Sequence, residues 1–215
     1  MYYSLMIQEV GLIINTIRKS LLGGFEISIG CIAFLSVGGG TCGAFLFSIG
    51  LLLVCTKQHL LFTGKVCYIS DIGIRDVLVI LVCNMLAAAG VGLAVRYALP
   101  DLIPMASAMV DKKLAYSEVN TARRILMPVM CNVMIFFAVD EFDGRDVSKV
   151  IRLILCVMVF ILCGFEHCIA NGFYFSMTGK LLTKAGIGFM IINIILNGLA
   201  GIGIKVLCRG WGRAS

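Results

Sequence analysis

Six apolar runs, at about residues 21–37, 42–70, 77–99, 122–139, 150–179 and 185–207, fill most of this 215-residue chain. About 20 apolar residues cross a bilayer as a helix. The pattern therefore predicts an all-α polytopic membrane protein with six transmembrane helices, in a single domain over 1–215. Charged residues make up 14% of the chain and fall between the apolar runs, while 60% of residues are hydrophobic. No water-soluble domain has that balance. The chain does not open on a basic leader, a short apolar core and a small-residue cleavage site, so a removable signal peptide is not expected. Residues 1–20 instead space Leu5, Ile13, Ile17 and Leu21 at roughly helical intervals and end in Arg18 and Lys19. They predict an amphipathic helix lying at the interface.

Two of the six runs are too long for one crossing and carry polar residues midway. The second contains CTKQHLLFTGK (55–65) and the fifth contains GFEHCIANGFYF (164–175). Both read as interrupted helices. The second run is the middle of the first three, and the fifth is the middle of the last three. The third and sixth runs also echo each other, CNMLAAAGVGLAV (83–95) against LNGLAGIGIKV (196–206), with Asn84 answering Asn197. Three crossings are an odd number, so a second copy enters from the opposite side. This is the pattern of an inverted-topology repeat, here about 20–99 and 120–207, with a site at the bilayer midplane.

With the N-terminus inside, inner segments hold nine Lys or Arg (18, 19, 75, 145, 149, 152, 205, 209, 213) and outer segments hold seven (96, 112, 113, 123, 124, 180, 184). The bias favours both termini on the cytoplasmic side. The net charge of +6 is spread over loops and points to membrane orientation and anion attraction, not to nucleic acid. Of ten cysteines, Cys31, Cys42, Cys83, Cys131, Cys156 and Cys163 lie inside apolar runs, and no Cys-x-x-Cys occurs. They read as reduced packing residues. Gly23, Gly24, Gly30, Ala88, Gly92, Gly198 and Gly201 allow close helix approach, within a protomer or between subunits.

An ionisable residue at the membrane centre costs about 2.5–3.5 kcal/mol even on lenient scales. Glu166, His167 and Asn171 must therefore serve some purpose. In an intact helix His167 and Asn171 share a face with Phe160, which places an aromatic ring, an imidazole and an amide along one wall. Glu166 then points into packed protein. An apolar ring beside a lone polar centre suits a selective pore; a histidine satisfied between helices is the plain alternative. Thr63, Gly64 and Lys65 occupy the other interruption. Free N–H groups at the start of a half-helix make an anion site, and Lys65 adds a full charge beside it. Snorkelling to the inner surface is the alternative for Lys65. Enzyme chemistry finds little support. Two histidines, His59 and His167, lie one in each break and do not pair as haem ligands. Adjacent Glu166, His167 and Cys168 cannot face one metal, and Ser176 has no oriented base. No metal or other cofactor is expected.

GFEHCIANGFYFSM resembles the fifth-span signature of the formate/nitrite transporter family. FSIGLLLVCTKQHLLFTGKV (47–66) resembles that family's second span with its Leu-Phe-Thr-Gly loop, and CNVMIFFAV (131–139) resembles its fourth. The resemblance implies an aquaporin-like fold assembled as a homopentamer, with one pore per protomer for formate, nitrite or hydrosulfide. It implies that His167 is the central pore histidine and Thr63 the threonine near it. Phe47 and Phe160 become outer constriction rings, Leu51, Leu61 and Phe62 the inner constriction, and Asn132 and Asn171 polar positions by the pore. Leu60, Lys65, Gly172 and Asp140 depart from the usual residues, and Lys65 looks more like the hydrosulfide branch. The family's cation ahead of the fourth span corresponds to Lys112 or Lys113.

The expected function is thus a channel or transporter for small monovalent anions in a bacterial-type plasma membrane, with the central His167 enabling proton-coupled or neutralised passage. Lipid and protons are its other partners, and it is not an enzyme. Glu166 anchors the broken helix, His167 meets the ion, and Asn171 orients or hydrates it. Whether His167 donates a proton or only a hydrogen bond stays open at this level, as do the roles of Lys57 and Glu26. The competing expectation is a membrane sensor or structural protein with an occluded pore.

Overall fold

A computed structural model describes residues 2–208, with side chains from residue 10 onward. Leu5, Arg209 and Arg213, which entered the interfacial-helix and orientation arguments, lie outside the described side chains. Among the described residues all regular structure is helical.

Helix α1 runs unbroken over Tyr2–Ser36, so the helix expected over 1–20 and the first apolar run form one element. Nothing between Arg18 and Phe25 forces a break. Gly23 and Gly24 sit in mid-helix because a β-carbon there would strike the backbone of Leu60 and Asn84. Three glycines in left-handed backbone, Gly38 to Gly40, turn the chain into α2, Gly40–Thr56. The long second run then divides. After residues 57–61 come the short α3 (Phe62–Lys65), a 3₁₀ turn (Val66–Tyr68) and α4 (Ile69–Ile72). Helix α5, Ile74–Ala98, returns through the layer.

A helix with no counterpart in the apolar pattern follows. α6, Ile103–Val119, starts behind a 3₁₀ turn at Pro100–Leu102 with Pro104 in its first turn, where proline's missing N–H costs nothing. α7, Thr121–Val139, contains Pro128. α8 spans Val147–Leu162 and is capped by Asp146, which accepts the Ser148 N–H. The fifth run divides at 163–167 before α9, Cys168–Met177; α10, Lys184–Cys208, completes the described chain. Helix α1 packs on α2 and α5, α5 on α9, α7 on α8 and α10, and α2 on α8. Four of these helices (α1 from Val10, α5, α7 and α10) are long and apolar enough to cross a membrane.

The two divided runs are built alike. α2 ends as the Gln58 N–H bonds Cys55 O and the His59 N–H bonds Val54 O; α8 ends as the Gly164 N–H bonds Ile161 O and the Phe165 N–H bonds Phe160 O. Both are Schellman turns, with Gln58 (φ 55°) and Gly164 (φ 71°) in the left-handed region. Each gap is then stitched by an asparagine from a helix across it. Asn84 of α5 accepts the Phe62 N–H and donates to Leu60 O and Ser20 O. Asn197 of α10 accepts the Cys168 N–H and donates to Glu166 O and Pro128 O. Gln58 and Gly164, Leu60 and Glu166, and Phe62 and Cys168 correspond at one constant offset along the chain.

Candidate functional site

Thr63, in α3 just after the first gap, and His167, at the end of the second, meet: Thr63 Oγ1 lies 3.0 Å from His167 Nε2. His167 is the N-cap of α9, and its Nδ1 accepts the Ala170 N–H at 3.2 Å. A nitrogen that accepts a hydrogen bond carries no proton. The neutral ring therefore holds its proton on Nε2 and donates it to the Thr63 hydroxyl. At 3% exposure the ring is sealed from bulk water.

α8 stops before His167, so Phe160, His167 and Asn171 are not aligned on one continuous helix. Phe160 reaches the imidazole by another route. The Schellman turn folds the chain back, and the two rings stack with centroids 6.0 Å apart. Phe47 meets Phe160 edge-on at 5.8 Å, which places an aromatic pair on one side of the histidine. Leu51, Leu61 and Phe62 are buried too. Leu51 and Leu61 also line a cavity of about 430 Å³, together with Lys19, His59, Lys65 and Tyr68 among others.

Asn171 points its amide at Glu166, where Nδ2 donates to Oε2 at 2.8 Å. Lys113 Nζ donates to the same oxygen at 2.5 Å, and the Tyr116 hydroxyl donates to Oε1. The carboxylate is thus buried with a cation and two neutral donors, which is the condition for tolerating a charge away from water. Between the two candidate lysines the geometry selects Lys113; Lys112 is exposed. Asn132 Nδ2 donates to Thr63 O at 3.0 Å, while its Oδ1 is buried without a partner among the described residues.

The N–H groups expected to be free at the half-helix starts are partly committed. Those of Phe62 and Cys168 bond Asn84 and Asn197. Sequence reasoning also missed Tyr116, although its spacing of three from Lys113 put both on one helical face. Asp140, noted only as a departure, joins four elements: its Oδ1 accepts from Tyr68 (2.6 Å) and Lys205 (3.2 Å), and its carbonyl accepts from Arg152.

Long apolar helices around a sealed polar pair fit an integral membrane protein. A family model described as "Formate/nitrite transporter" matches residues 11–204. The chain belongs to that family. The formate channel FocB of Escherichia coli (strain K12) is 39% identical over 51 residues, 23% of this chain and 18% of that relative, so the match spans well under two thirds of the relative's length. A solved "Pentameric formate channel with formate bound" superposes with a TM-score of 0.77 at 26% identity, covering 94% of this chain and 97% of the other. An "FNT family ion channel" gives 0.76 at 22% identity, covering 94% and 90%, and attests to the fold alone.

Proposed function

We propose that this protein is a channel for small monovalent anions (formate, nitrite or hydrosulfide), with the transit path passing His167. The Thr63–His167 contact carries the reading. It is a buried polar pair; the Phe160 ring stacks on His167 and meets Phe47, and the reading takes buried Leu51, Leu61 and Phe62 as the second constriction. In this reading the Nε2–H turns from Thr63 to the passing solute, and Asn132 and Asn171 keep the two gaps in place. Glu166 with Lys113 anchors the second gap, and Lys65 gathers anions at the cavity mouth.

The chain makes six crossings, the second and fifth interrupted, in inverted repeats about 20–99 and 120–207. The corresponding Schellman turns and the matched bonds of Asn84 and Asn197 support this arrangement. The assembly is a homopentamer in a bacterial-type plasma membrane, with both termini cytoplasmic; the pentameric formate channel of like fold supports it. The protein has no enzymatic role.

A dry constriction refuses a bare anion. A formate-like acid with a pKa of about 4 is neutral in only about one molecule per thousand at pH 7. Passage must therefore neutralise the ion or compensate its charge. The test is influx of each of the three anions into proteoliposomes, alone and in competition. Influx above empty liposomes for at least one supports the channel. No influx of any of them favours the occluded sensor.

A further inference from the structure

Away from His167, a partly buried acid–base pair lies at the cavity, with its histidine in the lining. Glu26 of α1 is 6% exposed, and its Oε1 lies 2.8 Å from Nδ1 of His59, which sits in the first gap. The other carboxylate oxygen is buried without a partner among the described residues. With the Glu26 carboxylate ionised, it only accepts, and His59 donates from Nδ1. That leaves Nε2, which makes no hydrogen bond among the described residues, on a ring that lines the cavity. A carboxylate that fixes one ring nitrogen while the other faces a solute is an oriented general acid–base.

The surroundings suit an anion. Lys19 from α1 and Lys65 from α3 line the same cavity, with Cys55 of α2 and Tyr68 of the 3₁₀ turn. Val139 and Phe142 bring no charge from the α7 side, and no carboxylate is among the lining residues. Glu26 stands behind His59, so an entering anion meets the imidazole and the lysines first.

His167 is differently placed. Its Nδ1 is spent on the Ala170 N–H. A second proton there would break the cap of α9 and charge a sealed site.

We propose that His59 and Glu26 form a proton-transfer dyad that neutralises a weak-acid monoanion in the cavity, before it meets Leu51 and Leu61. The Nε2–H bond of the His59 imidazolium breaks and an O–H (or S–H) bond forms on the anion. The ring is left neutral with its Nδ1–H on Glu26, and hydronium in the cavity restores the Nε2 proton. The neutral acid then crosses the apolar segment, with His167 supplying a hydrogen bond only. The inference rests on the channel reading above and deepens it.

The experiment compares wild type with His59→Asn and Glu26→Gln. Formate influx is followed from about pH 5 to about pH 8, with assembly checked by size exclusion. Between pH 7 and pH 5 the neutral share of the acid in bulk rises about 100-fold. His59→Asn is therefore expected to lose about tenfold in flux near pH 7 and less than about twofold near pH 5. Equal loss at every pH, or no loss, overturns the dyad.

A second readout does not depend on flux. The chain holds two histidines, so ¹⁵N-histidine labelling gives two rings, assigned with His59→Asn. Neutral His59 is expected as the Nδ1–H tautomer and His167 as the Nε2–H tautomer, with added formate perturbing His59. An Nε2–H tautomer at His59, or a ring blind to formate, overturns the proposal. A wild type that carries none of the three anions defeats the channel reading itself, and the labelled rings still decide whether the dyad exists.

Discussion

His167 uses its two nitrogens for two tasks, and substitutions separate them. Nδ1 caps α9 and Nε2 holds Thr63. Asparagine is a strong N-cap and keeps a donor. His167→Asn should assemble, retain part of the wild-type flux and keep its pH response. His167→Phe removes cap and donor together. It should cost about 0.5–2 kcal/mol through the lost cap and abolish most flux. Initial rates in proteoliposomes, with thermal melts of each variant, check both. A His167→Asn protein that assembles but loses the pH response would move proton transfer back to this ring. Lys65 is tested through salt. Exposed charges are screened within about 8–10 Å at physiological ionic strength, so Lys65→Asn should slow influx severalfold at low salt and hardly at all at high salt. An unchanged rate at both leaves Lys65 snorkelling.

At the scale of elements, the two gaps hold because each uses the same devices with different residues. Glycine provides the left-handed turn at Gly164, whereas Gln58 does it with a side chain, at a cost of about 1–2 kcal/mol. Gln58→Gly should therefore raise stability by about 1 kcal/mol, read as a higher melting temperature in detergent; a lower one would mean that the Gln58 side chain itself supports the cavity. Asn84→Ala and Asn197→Ala each strand two backbone groups of a gap, an N–H and a carbonyl, at about 1–3 kcal/mol per buried group. Both variants should melt well below wild type, and by similar amounts. Much of this was legible in the sequence. The long apolar runs with polar centres mark the two stretches that divide, and the Asn84–Asn197 echo names the residues that bond across them. Thr63 and His167 were expected together and lie 3.0 Å apart. Other parts were not legible. α6 has too little apolar character to register as a run, so its Lys113 and Tyr116 were not placed on Glu166. Asn171 and Phe160 were assigned to one helical face, but Schellman bonding ended that helix first. The Glu26–His59 pair joins residues far apart in the chain, and neither carries a local pattern.

Over the whole molecule, the open question is what covers the outer helix faces. Leu78, Val82 and Leu86 of α5 and Ile191, Ile195 and Leu199 of α10 form exposed stripes at helical spacing. In a bilayer such stripes do not argue for assembly, since lipid tails are as apolar as leucine. Glycine is more telling. The glycines that pack within the protomer abut a neighbour, as Gly24 abuts the Asn84 backbone and Gly201 the Asn132 side chain, whereas a β-carbon at Gly90 or Gly203 would meet nothing. Glycine in a helix costs about 1 kcal/mol against alanine, and on a free surface nothing offsets that. Against a second helix it permits close backbone approach, the main source of contact energy between membrane helices. The proposed homopentamer, which rests on the pentameric formate channel of like fold, sets the expected number. We therefore expect a detergent-corrected mass of five times the 23.3 kDa chain by light scattering. Gly90→Leu or Gly203→Leu should shift the population toward smaller species, while alanine at the same sites shifts it less. A monomeric or dimeric mass for wild type would sink the pentamer and leave the open glycines facing lipid.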